Sequence, residues 1–146
     1  MKMLYTTRVS ATAGREGRVR SDDGILDLAL ALPEELGGRG GATNPEQLFG
    51  ACYAACFENS LLRVALQAGH RFADDDVSVV AEVGLVRNEA EVILLRVALV
   101  ITLCGVDQAT GEELARIADT ICPYSNAMRG NIDVLRTVIV MRDNFL

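Results

Sequence analysis

The chain has 146 residues, half of them hydrophobic, and 14 Lys and Arg against 20 Asp and Glu give a formal charge of −6. That length fits a single domain, residues 1–146, with a real core. The acidic balance argues against nucleic acid or an anionic membrane as partner, because both attract basic surfaces, so the expected ligand is small.

The first residues, Met1 to Arg8, lack the long apolar stretch of a secretory signal. The longest apolar run, Val92 to Leu103, is interrupted by Arg96 and falls short of the roughly 20 residues that span a bilayer. A cytoplasmic location is expected. Residues 3–10 and 25–32 read as strands, and Gly14-Arg15-Glu16-Gly17 and Ser21-Asp22-Asp23-Gly24 supply turn signals between them, which predicts an N-terminal meander. The glycine-rich stretch 36–42 is too permissive for regular structure.

Thr43-Asn44-Pro45-Glu46 combines a capping residue, proline at the first helical position and an acid in the first turn. A helix is therefore predicted from about Pro45 to Ala68, with Gly69 as its stop. Its first three turns are so apolar and small that the helix is expected to be buried nearly all round. Residues 77–86 and 92–103 alternate apolar and polar on either side of Arg87-Asn88-Glu89-Ala90-Glu91, the pattern of a long hairpin. Gly111 to Ile121 carries Leu114, Ile117, Ala118 and Ile121 at helical spacing, and Pro123 breaks what precedes it, with Cys122 at the break. Asp133 to Met141, rich in Val and Ile, reads as a closing strand. The fold class is α+β, a mostly antiparallel sheet against a long central helix.

Four cysteines at irregular spacing, without a signal, suit a reducing compartment rather than a disulfide framework, so a disulfide here is expected to be catalytic. His70 is the single histidine, and Cys52 and Cys56 form the one close cysteine pair, so no metal is expected. Cys52 and Cys104 read as packing. Cys56 lies about three turns inside its helix, where the helix dipole has faded, so by itself it is a small hydrophobe among alanines unless another cation ionises it. Glu46, ten residues earlier, falls on roughly the same side of the helix. Read locally, it is a first-turn acid that stabilises the helix end, though it could also hold an arginine. Arg15, between glycines, reads locally as a solvated charge.

Three segments carry a resemblance: Thr43-Asn44-Pro45-Glu46-Gln47-Leu48-Phe49, Tyr53-Ala54-Ala55-Cys56-Phe57, and Cys122-Pro123-Tyr124-Ser125-Asn126-Ala127-Met128-Arg129-Gly130-Asn131-Ile132-Asp133-Val134. Together with Leu4-Tyr5-Thr6, Ala13-Gly14-Arg15-Glu16-Gly17 and the glycines of 37–41, they make the chain resemble the organic hydroperoxide resistance (Ohr) branch of the Ohr/OsmC superfamily. The resemblance implies an OsmC-like fold, an intertwined homodimer, and a thiol peroxidase acting on organic hydroperoxides. It implies Cys56 as the peroxidatic cysteine, Cys122 as the resolving one, Arg15 as the activating cation and Glu46 as the carboxylate that fixes Arg15. It also implies no bound cofactor and an external dithiol reductant, dihydrolipoamide or a lipoylated protein. Against the family pattern, the chain departs at Cys52, at Glu58-Asn59-Ser60 and in the turn from Arg87 to Val92, which lacks glycine. A thiol redox sensor, or a small-ligand-binding domain whose cysteines only pack, are the competing functions.

Overall fold

A computed structural model describes residues 1–141. Contacts gather the chain into two compact units, Met1–Leu48 and Phe49–Leu146. In the first, strands β1 (Val9–Thr12), β2 (Arg18–Ser21) and β3 (Asp27–Ala29) form an antiparallel sheet in that order. The meander is present, but its strands differ from those expected. Residues 3–8 lie outside any strand, and Leu4 and Tyr5, whose apolar character suggested one there, are exposed. The middle strand escapes a hydrophobicity reading because Val19 is its one apolar residue.

Between β1 and β2, a 3-10 turn at Gly14–Glu16 presents Arg15. Ala13 and Gly14 are both left-handed there, with φ of 55° and 57°. Gly17 has no alternative, because a Cβ at that position would sit 1.7 Å from the Thr12 carbonyl oxygen. The carboxylate of Glu16 accepts a hydrogen bond from the Leu32 amide at 2.9 Å and pairs with Arg39 at 3.2 Å. The glycine-rich stretch is thus tied to the turn, and Leu30 bridges Thr43 just before the next helix begins.

Helix α1 (Pro45–Gln67) starts where the sequence predicts, with the Asn44 side chain accepting from the Gln47 amide at 2.9 Å. It stops before Gly69, which is left-handed at φ 89°. From Phe49 onward the second unit adds β4 (Val77–Arg87), β5 (Ile93–Cys104), α2 (Gln108–Ile121), α3 (Pro123–Met128) and β6 (Leu135–Met141). The hairpin pairs Val77 with Leu103 through Arg87 with Ile93. Its glycine-free turn works through Asn88, whose side chain accepts from the Ala90 and Val92 amides, while Glu91 takes the left-handed conformation. Strand β6 pairs with β5 in parallel, from Ala98 with Leu135 to Cys104 with Met141. A parallel neighbour needs a long crossover, and α2 and α3 provide it.

The core of this unit is a single cluster in which Tyr53, Phe57 and Leu61 of α1 join Leu99, Ile101 and Leu103 of β5. Helix α1 is not buried nearly all round within the chain. Tyr53, Phe57, Ser60, Leu61, Val64 and Ala65 are buried, whereas Ala51, Cys52, Ala55, Leu62 and Leu66 are exposed. One sheet can cover only one face of a helix.

Candidate active site

Pro123 fixes the first half of the site. Proline disfavours a helical conformation in the residue before it, so Cys122 is extended at φ −68° and ψ 122°, ending α2 and capping α3 in one residue. Its amide donates to the Ala118 carbonyl at 2.9 Å, and its own carbonyl accepts from the Asn126 amide at 3.0 Å. Held in this way, the fully buried Cys122 places its Sγ 3.8 Å from the Sγ of Cys56, which is half-buried on α1. Both thiols are free.

Within this unit the Cys56 thiol is not lowered. Burial pushes it up, the neighbouring Cys122 adds to the rise, and the Tyr124 backbone amide at the start of α3 opposes it. The dominant cause is desolvation, which penalises the thiolate before any charge acts on it.

In the first unit, Arg15 and Glu46 form a bidentate pair, Nη1 to Oε2 at 2.8 Å and Nη2 to Oε1 at 2.7 Å. The guanidinium holds the Glu46 carboxyl below its ordinary range, and the carboxylate pushes Arg15 further up. Arg15 is therefore not a free solvated charge. Its side chain is 42% exposed and that of Glu46 14%, so one end of the fork is fixed while the other face of the guanidinium stays accessible. The four residues expected at the site are brought together as two pairs, each inside one unit.

Cys52, expected to pack, is exposed instead. Tyr124 is pushed up first by burial and then by the neighbouring Cys52 thiol. Phe49 stands edge-on to both Tyr53 and Tyr124, with ring centroids 6.3 Å away in each case, so an apolar aromatic group adjoins the Cys56 segment. Phe57 belongs to the core. The departure at Ser60 has a local cause: its buried hydroxyl donates to the Cys56 carbonyl at 2.9 Å.

Two polar groupings are missing from the sequence reading. The hydroxyls of Tyr53 and Ser125, both buried, lie 2.9 Å apart. Asp119, also buried, accepts from Arg129 at 3.2 Å and from Arg136 at 3.1 Å. Both groupings line a cavity of about 200 Å³ beside the α2–α3 junction. The available signal is spacing: Tyr53 precedes Cys56 by three residues, and Asp119 and Ser125 flank Cys122 by three on each side. Among the described residues, no three His, Cys, Asp or Glu side chains gather to hold a metal ion.

Residues 38–135 match the sequence profile of the OsmC-like protein family. The organic hydroperoxide resistance protein of Xanthomonas axonopodis pv. citri is 46% identical over 138 residues, 94% of this chain and 96% of that protein. Among solved structures, the organic hydroperoxide resistance protein of Legionella pneumophila is 49% identical with a TM-score of 0.88, covering 95% of this chain and 100% of that one. The corresponding protein of Elizabethkingia anophelis is 40% identical with a TM-score of 0.89, covering 97% and 100%. The α+β architecture is thus the OsmC-like one.

Proposed function

The chain belongs to the OsmC-like family, in its organic hydroperoxide resistance branch, and from that membership we propose a cysteine-based thiol peroxidase that reduces alkyl or fatty-acid hydroperoxides. The observation that carries the reading is the pair of free thiols of Cys56 and Cys122 at 3.8 Å, one half-buried and one fully buried. The Cys56 thiolate attacks the terminal oxygen of ROOH, the O–O bond breaks, and the leaving alkoxide takes from water the proton that the thiol had given up, so the products are ROH and Cys56 sulfenic acid. The Cys122 thiol then displaces hydroxide from that sulfur, which leaves as water, and an intrachain disulfide forms. A dithiol returns both cysteines to thiols and is itself oxidised to a disulfide.

A free thiol with a pKa near 8.5 is only about 3% thiolate at pH 7. Because burial holds Cys56 up, ionisation is not where its local surroundings help. Nucleophilicity falls as a thiol pKa is lowered, so Arg15, the activating cation, is also assigned to the transition state: positioned by Glu46, its guanidinium donates to the peroxide oxygens as charge moves onto the leaving alkoxide. An aromatic, apolar neighbourhood favours alkyl chains over hydrogen peroxide. The reductant is a dihydrolipoyl group, free or on a lipoylated protein, the protein works as a homodimer, and its place is the cytoplasm.

Peroxide consumption with an alkyl hydroperoxide and dihydrolipoamide tests the reading. The enzyme turns over many equivalents, and faster with dihydrolipoamide than with thioredoxin or glutathione. Cys56→Ser abolishes turnover, whereas Cys122→Ser completes one round and stalls as sulfenic or sulfinic acid. Consumption of a single equivalent indicates a redox sensor, and consumption of none a packing or ligand-binding domain.

A further inference from the structure

We propose that the buried Tyr53–Ser125 hydroxyl pair is a positioning device that sets how readily Cys122 bonds to Cys56. The geometry is a doubled bridge between α1 and the start of α3. Tyr53 lies three residues before Cys56 on α1, and Ser125 lies three residues after Cys122, so the hydroxyl contact at 2.9 Å stands about one helical turn from the thiol contact at 3.8 Å. Tyr53 is 0% exposed and Ser125 4%, so each hydroxyl has the other as its hydrogen-bond partner inside the protein. A buried hydroxyl left alone is costly, which makes the pair a strong constraint on the spacing of the two helices.

That spacing has chemical consequences. For a disulfide the sulfurs must close from 3.8 Å to about 2.05 Å, and the intact hydroxyl bond keeps the rest of α3 in register while Cys122 makes that movement. On the far side of Cys122, Asp119 receives Arg129 from beyond α3 and Arg136 from β6, and the Arg129 guanidinium also donates to the Asp119 carbonyl at 2.9 Å. The segment that carries Cys122 is thereby clamped at both ends. Tyr53 also stacks on Tyr124, with centroids 6.0 Å apart, so the ring fixes the same helix start whose amide faces Cys56. The hydroxyl pair adds direction to that ring contact.

In the peroxidase cycle, on which this inference rests, the effect falls on the fate of the sulfenic acid. Condensation with Cys122 forms an S–S bond and releases water. The competing step consumes a second ROOH, adds its oxygen to Cys56 as sulfinic acid and releases ROH. Tyr53 and Ser125 favour the first by keeping the second thiol in place, without touching the substrate.

The test uses the full chain equilibrated in buffers of reduced and oxidised dithiothreitol, with the Cys56–Cys122 disulfide quantified by mass spectrometry. Tyr53→Phe, which keeps the ring, and Ser125→Ala each lower the disulfide equilibrium constant about tenfold, a rise in potential of about 30 mV. The double variant falls no further than the worse single one, since the two residues share one bond. A merely structural contribution lowers unfolding stability and leaves this potential unmoved. Wild-type equilibrium constants in both single variants overturn the proposal, as do losses that add fully in the double variant. Exposure to excess alkyl hydroperoxide then gives more Cys56 sulfinic acid per turnover in the variants than in wild type. If the wild type forms the disulfide with dithiothreitol but consumes no peroxide, the peroxidase reading fails, and the equilibrium shift still decides the role of the hydroxyl pair.

Discussion

Arg15 offers both terminal nitrogens to Glu46 and keeps a partly exposed guanidinium face, an arrangement that a planar fork permits and a point charge does not. Arg15→Lys retains the charge and loses the fork. The expected result is a fall in kcat/KM of at least about 100-fold, comparable to removing an oxyanion donor, with a much smaller change in the Cys56 thiolate titration. Steady-state kinetics and that titration on one variant check both parts, and near-wild-type kinetics would reduce Arg15 to a surface charge. The pH dependence follows from Glu46. Its folded-state pKa is depressed, chiefly by the hydrogen bonds from Arg15, so the pair's contribution is fully present above the ordinary carboxyl value and is lost as pH falls through the depressed one. Activity corrected for the falling Cys56 thiolate fraction should therefore survive acidification to about pH 5, near the upper edge of ordinary glutamate titration, and Glu46→Gln should lower it across the whole range. None of this pairing is legible from local spacing, because 31 positions separate the partners. Resemblance identified both residues, whereas a local reading makes one a solvated charge and the other a helix-end acid.

The turn that carries Arg15 is built from backbone constraint rather than from a core. It buries no residue, and its shape depends on left-handed Ala13 and Gly14 and on the bare Cα of Gly17 against the Thr12 carbonyl. A methyl group at Gly17 cannot be accommodated without moving backbone. Gly17→Ala is expected to lower kcat/KM about as much as Arg15→Lys, because Arg15 loses its aim, while the denaturant midpoint of the second unit's core shifts little. Near-UV circular dichroism during unfolding, which reports the Tyr53–Tyr124 cluster, separates the local effect from a global one. Elements whose signal is periodicity were legible: the hairpin, the start of α1 and most of α2 fall within a few residues of expectation. Those set by pairing were not, since β2 contains one apolar residue and takes its conformation from neighbours on both sides. For α2, the Asp107 cap on the Thr110 amide moves the start to Gln108, ahead of the apolar stripe that marks it in sequence.

At the scale of the whole molecule, the apolar character of α1 exceeds what its own chain covers. Tyr53, Phe57, Ser60 and Val64 recur at spacings of four, three and four along the buried face, and Cys52, Ala55, Asn59, Leu62 and Leu66 recur at three, four, three and four along the exposed one. The second series is a heptad-like seam, the pattern by which one helix meets another. The sequence expectation of a helix buried nearly all round fails because the second unit has one sheet, β4-β5-β6, and that sheet packs against one face of the helix. The same excess motivates the homodimer, with a second copy covering the seam. Leu62 and Leu66 are 38% and 54% exposed, so each retains much of its surface for burial. Burying them contributes about 1.5 kcal/mol apiece, taken at the low end for leucine, and about 3 kcal/mol together corresponds to roughly 100-fold in dissociation constant. Sedimentation equilibrium at micromolar concentration should show a dimer for the wild-type chain and a dimer weakened at least about 100-fold for the Leu62→Lys, Leu66→Lys double variant. Because both positions face outward in the folded chain, the far-ultraviolet spectrum of that variant should match wild type. A wild-type chain that sediments as a monomer, or a double variant that dimerises undiminished, assigns the seam some other role.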